Sequence, residues 1–139
     1  MVKEHTTYEK PGLVVSYKLG VTRVFRGALV GLDEEGWLYP MMEKPGLRFV
    51  GVAHETIDNS AGPEGFKSVN VSKTGSFVYH YRGEDHPLQS LIGLEAYACT
   101  GDSVTCDAVF GKPVGHVVGI ENTESGHHGV RIRIDLFVC

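Results

Sequence analysis

The feature that most constrains this chain is the stretch Gly129-Val130-Arg131-Ile132-Arg133-Ile134-Asp135-Leu136, where apolar and polar residues alternate strictly. Successive side chains of a strand point to opposite faces, so a period of two buries one side and wets the other. The same alternation runs through residues 66–81, on either side of a Lys73-Thr74-Gly75 turn. Nowhere does a run of about 12 residues carry the 3.6-residue period of an amphipathic helix. Residues 88–94 offer at most one short helical turn. Val and Gly each number 18, and Val favours the pleated strand while Gly punctuates turns and bulges. The expected fold is all-β: a small β-barrel or β-sandwich over residues 13–139, forming a single domain.

Turn signals divide the rest. Leu13-Val14-Val15 and Val24-Phe25 flank the more polar residues 16–23, and Ala28-Leu29-Val30-Gly31-Leu32 reads as the next strand. Asp33-Glu34-Glu35-Gly36 closes a hairpin onto Trp37-Leu38-Tyr39. Residues 58–65, DNSAGPEG, form a loop, as do residues 121–129. There is a weak internal echo. Gly27-Ala28-Leu29-Val30, a turn and then Phe49-Val50-Gly51-Val52-Ala53 resemble residues 93–98, a turn and then Pro113-Val114-Gly115-His116-Val117. The echo is too degenerate for a repeat array, but it fits two similar hairpin units closing on each other. Residues 1–12 are a polar arm ending at Pro11-Gly12, with too little apolar surface to fold alone, and are expected to be flexible.

Charge and composition narrow the function. Lys+Arg 13 against Asp+Glu 17 gives a net charge of −4, with no basic stripe to neutralise phosphates, so no nucleic-acid partner is expected. No apolar run approaches the roughly 20 residues of a membrane span, and the start carries no signal-peptide core, so neither a membrane nor export is expected. Cys99, Cys106 and Cys139 are odd in number, which excludes a complete disulfide framework and favours reduced, structural thiols.

Chemistry-bearing motifs are missing. There is no G-x-S-x-G, P-loop or dinucleotide fingerprint, and His54-Glu55 lacks the second histidine of H-E-x-x-H. No catalytic residue, cofactor or metal site is expected. His116, His127 and His128 with Cys99 and Cys106 have the wrong spacing for zinc, and His80 reads as an outward strand position. Asp33-Glu34-Glu35 and Glu84-Asp85 lack the ligand spacing of a calcium loop and read as solvated turn carboxylates. Trp37, Tyr39, Phe49, Tyr79 and Tyr81 would serve a sugar or peptide groove, but their place in strands favours core or half-buried rim positions.

The series Val24-Phe25-Arg26-Gly27-Ala28-Leu29-Val30-Gly31-Leu32-Asp33 and Gly36-Trp37-Leu38-Tyr39-Pro40, then Phe49-Val50-Gly51-Val52-Ala53 and Ile57-Asp58, resembles the bacteriophage capsid cement (head decoration) proteins. Val69-Asn70-Val71, Gly75-Ser76-Phe77-Val78, Ile92-Gly93, Val104-Thr105, Val114-Gly115-His116-Val117-Val118 and residues 130–136 continue the resemblance in order. It implies a non-enzymatic virion protein, made in the host cytoplasm and added to the outer surface of the expanded head. There it would stabilise contacts between major capsid protein subunits, commonly as a homotrimer. The arm would then be a capsid contact, laid beside a capsid strand, with Tyr8 and Leu13 as apolar anchors next to Pro11. The alternatives are a tail or baseplate β module and a small carbohydrate- or ligand-binding β-barrel.

Overall fold

A computed structural model describes residues 14–82, 89–108, 111–122, 128–135 and 137–138. Its strands, in chain order, are β1 (Val14–Lys18), β2 (Arg23–Val24), β3 (Leu29–Leu32), β4 (Leu38–Pro40), β5 (Arg48–Ala53), β6 (Ile57–Asp58) and β7 (Ser68–Ser72). The second half adds β8 (Ser76–Tyr81), β9 (Glu95–Ala98), β10 (Ser103–Thr105), β11 (Pro113–Asn122) and β12 (His128–Arg133). Helical structure is limited to short 3-10 turns, of which Gln89–Leu91 lies wholly within the described residues. The all-β expectation holds. Tyr8, Pro11 and Leu13, with the whole arm, lie outside the described residues, as do Glu84, Asp85, His127 and Cys139.

The first half forms the sheet β1-β7-β5-β3-β4, and the second half a closed barrel in the order β8-β12-β11-β9-β10. These are the same order. Each half lays down its first strand, then a hairpin, then a strand on the hairpin's far edge, then one that joins it to the first strand. Every neighbour is antiparallel except at the closure, where β8 meets β10 in parallel, Tyr81 opposite Val104. The first half is a sheet with no closing ladder, but one isolated parallel bridge, Leu19 opposite Leu38, stands at the matching place and curls it into a barrel-like unit, the first barrel.

Register repeats as well as order. On β3 and β5, Leu29, Val30 and Gly31 face Val52, Gly51 and Phe49; on β9 and β11, Glu95, Ala96 and Tyr97 face His116, Gly115 and Pro113. Both pairings skip one residue, Val50 and Val114, so each middle strand has a bulge at the same place. The bulge keeps the skipped valine on the inside, fully buried or nearly so. Val30, Leu38, Val50, Ala53, Val69 and Val71 fill the first barrel. Their register partners Ala96, Val104, Val114, Val117, Val130 and Ile132 fill the second.

The halves differ where the sequence echo fades. β2 and β6 form a small ladder that has no counterpart among the described residues of the second half. On the outer face of the first barrel, Leu29, Met41, Leu47, Phe49 and Val52 are apolar and share one core cluster with the second barrel's interior. That shared core joins the barrels.

One segment that the sequence left unassigned is strand, and one expected loop needs correction. The polar residues Ser16-Tyr17-Lys18 are strand, because β1 is needed to pair β7 from Val14↔Ser72 to Lys18↔Ser68. The loop expected over residues 121–129 is shorter, since β11 and β12 stay paired out to Asn122 and His128.

Candidate functional site

The junction of the two barrels holds a cleft of about 540 Å³. The first barrel supplies Phe25, Gly27, Ala28 and Pro40, and the second supplies Val78, Tyr79 and Gly101. Local structure explains the apolar lining. Gly27 turns the chain at φ +90°, which places Phe25 outward before β3 begins. Val78 occupies an outward position on β8, between the inward Phe77 and Tyr79. Phe25 is 57% exposed and Val78 50%, large values for side chains of their type.

Backbone and hydroxyl groups stitch the floor. The Leu29 N–H donates to the Gly101 carbonyl at 2.7 Å, and the Tyr79 hydroxyl donates to the Gly27 carbonyl at 2.8 Å. Burial raises the pKa of Tyr79 far above its ordinary value, so it remains a neutral donor. The rim is mixed in charge, with Arg26, His80, Asp102 and Glu121. Glu121 pairs with Arg131 at 3.3 Å, and Asp102 accepts from the Thr100 hydroxyl at 2.7 Å. Such a site suits an apolar side chain or small apolar group with polar edges.

A second, smaller concavity lies on the loop after β6, lined by Asp58, Asn59, Gly62, Phe66 and Lys67. Asn59 is 1% exposed and its amide donates to the carbonyls of Gly20 at 2.9 Å and Pro63 at 3.1 Å, pinning the loop to the first barrel. Its Oδ1 has no hydrogen-bond partner among the described residues. Asp58 is held down to a pKa of about 2, by the Ser60 hydroxyl and N–H first and the Arg23 guanidinium after them.

The acidic turn departs from expectation. Glu34 and Glu35 are exposed, but Asp33 is buried and structural. It accepts the N–H groups of Glu35 at 3.0 Å and Trp37 at 2.9 Å, and the Lys44 ammonium at 3.0 Å. Burial alone would raise its pKa; the Trp37, Lys44 and Glu35 donors outweigh that and hold it low. An Asp before a hairpin turn is a signal for such an Asx-type cap.

The remaining sequence candidates do not converge. Phe49 and Tyr79 are buried, and Trp37, Tyr39 and Tyr81 are half-buried, so these rings do not make an exposed platform. Trp37 lies against Gly65. His80 is an outward position, as expected, and His116 sits on β11 with Phe137 edge-on at 4.9 Å. Cys99 and Cys106 are free, and burial raises both pKa values, which keeps them as unreactive thiols. Among the described residues, no group of three or more His, Cys, Asp or Glu side chains is placed to hold a metal. No helix among them is long and apolar enough to cross a membrane. What sequence reasoning missed is the junction itself: Phe25 and Val78 are far apart in the chain, and only the packing of one barrel on the other brings them together.

No protein-family model matches the chain, no curated protein matches it, and no solved structure matches it.

Proposed function

We propose that the chain is a bacteriophage capsid decoration (cement) protein, which binds the outside of the expanded head and stabilises contacts between major capsid protein subunits. The observation that carries this reading is the tandem architecture. Two barrels of one strand order and one register are joined through a shared core. A shell offers like sites side by side on neighbouring subunits, and two like modules in one chain are suited to bridge them. Once one barrel is bound, the other is held near its own site, so modest contacts add up by effective concentration.

The arm fits the same role. Residues 1–12 lead towards β1, whose ladder neighbour is β7; its other edge, from Val14 to Lys18, carries no ladder among the described residues. An open edge is a template for an added strand. Tyr8, Pro11 and Leu13 would extend that contact to the capsid. The order of motifs from Val24 to residue 136 supports the family assignment, and grouping of copies in threes goes with it.

Co-sedimentation of the purified chain with expanded and unexpanded empty capsids tests the reading. Saturable binding to expanded shells only supports it, and binding to neither overturns it. Deleting residues 2–11 should leave the melting temperature unchanged and lower occupancy; unchanged occupancy would remove the arm from the account. A ligand-binding barrel is the second reading, favoured by the exposed Phe25 and Val78 in the junction cleft.

A further inference from the structure

The two barrels present the same corner twice, and only at one copy does another barrel pack against the residue after the glycine, although Phe25 there stays 57% exposed in the cleft. In the first barrel, Ala28 N–H donates to Phe25 O at 3.0 Å, Gly27 N–H to Ala53 O at 2.8 Å, and Ala53 N–H to Ala28 O at 2.9 Å. In the second, Leu94 N–H donates to Leu91 O at 3.0 Å, Gly93 N–H to Val117 O at 2.8 Å, and Val117 N–H to Leu94 O at 3.0 Å. The glycines turn at φ +90° and +94°.

The first corner is where the second barrel docks. Tyr79 bonds the Gly27 carbonyl, Gly101 accepts from Leu29, and Ala28 is left 9% exposed. The second corner has no such cover within the described chain, yet it is more apolar. Leu94 stands where the first barrel has Ala28 and is 47% exposed; Ile92 and Val118 beside it are each 44% exposed. A solvent-facing corner has no use for three clustered aliphatics, whereas a docking corner does.

We propose that the Ile92, Leu94 and Val118 corner docks on the first barrel of a second copy of this chain, repeating the internal junction from molecule to molecule. Register identifies the receiving surface. The positions matching Val78, Tyr79 and Gly101 are Ser16, Tyr17 and Glu35, on β1 and the β3–β4 turn, with Ser16 on the outer face of β1 and not at its open edge. Tyr17 is prepared for the part that Tyr79 plays. Its oxygen accepts from the Lys73 ammonium at 2.6 Å, which leaves its proton to donate to the Gly93 carbonyl of the incoming copy.

The intermolecular contact is smaller than the internal one. Leu29 and Val52 of the apolar outer face are matched by Glu95 and His116, and Phe137 already lies on His116. Contact is thus centred on the corner, and association is reversible and concentration-dependent. Corner and receiver are different surfaces, so the interface is heterologous, closing into a ring or running on as a chain of copies. This inference does not rest on the capsid reading.

The test is molar mass in solution across concentration, by sedimentation and light scattering. The intact chain should exceed its single-chain 15.2 kDa as concentration rises. Leu94→Glu, which spoils the corner, and Ser16→Arg, which spoils the receiver, should each stay at single-chain mass with unchanged melting, since both positions are exposed. Mixing the two variants should restore pairs and nothing larger, because one intact corner then meets one intact receiver. An intact chain that remains single at every concentration overturns the proposal, as does assembly that survives Leu94→Glu. A mixture that fails to pair also overturns it, since a symmetric contact through like patches would behave that way.

Discussion

The Tyr79 hydroxyl, on β8 of the second barrel, donates at 2.8 Å to the carbonyl of Gly27, which turns the chain into β3 of the first. Tyr79 belongs to the second barrel's interior, so this bond ties the core of one unit to the corner of the other. Tyr79→Phe keeps the ring and deletes the tie. It should cost about 1 kcal/mol, measured as a lower denaturant midpoint with an unchanged slope. An unchanged midpoint would mean that the shared apolar core alone holds the barrels together.

Tyr79 also makes stability depend on alkaline pH. Burial raises its folded pKa, so above the unfolded tyrosine value near 10 the folded state holds a proton that the unfolded state releases. Its contribution is fully present below that value and is lost as pH rises from there through the folded pKa. Denaturant titrations above pH 10 should show the intact protein losing stability faster than Tyr79→Phe.

On the acid side Asp58 contributes alongside Asp33, its pKa of about 2 coming first from Ser60 and then from Arg23. A depressed carboxyl stabilises above its unfolded value near 4, and that stabilisation is lost as pH falls from there through about 2. Carboxyl NMR titration should place Asp58 well below the exposed acids, and Ser60→Ala should move it back towards them.

Asp33 is expected to be the costly residue of the acidic turn. Asp33→Ala strands two turn N–H groups and the Lys44 ammonium, for a loss of about 2–3 kcal/mol. Glu34→Ala and Glu35→Ala, at exposed positions, should each change stability by less than about 0.5 kcal/mol.

Gly51 and Gly115 test the duplication directly. Each sits at its barrel's bulge, and a Cβ on either would run into a carbonyl of the next strand, Ser72 for Gly51 and Arg133 for Gly115. Those carbonyls are themselves register partners. Gly51→Ala and Gly115→Ala should both be strongly destabilising, by about 2–4 kcal/mol, because backbone must shift. Gly36→Ala, with φ +89° but open space, should cost only about 1 kcal/mol.

These glycines also show what the residues disclosed unaided. Alternation at Val130-Arg131-Ile132-Arg133 marks a strand with one face wet, and the Val-Gly pairs at 50–51 and 114–115 mark the bulges, so the echo was visible. Its meaning was not. Gly31 answers Tyr97, Val30 answers Ala96 and Leu29 answers Glu95, so shared register survives almost without shared residues. Ser16-Tyr17-Lys18 hid as strand because an edge with one exposed face tolerates polar residues. The junction cleft was invisible for a different reason: Phe25 and Val78 look like ordinary strand apolars until the barrels are packed.

The most direct measurement is an electron cryo-microscopy reconstruction of expanded shells saturated with the chain. Two barrel-sized densities per bound chain are expected, each touching a different major capsid protein subunit across a subunit boundary. Both barrels resting on one subunit, or shells that stay bare, would contradict the proposed bridging.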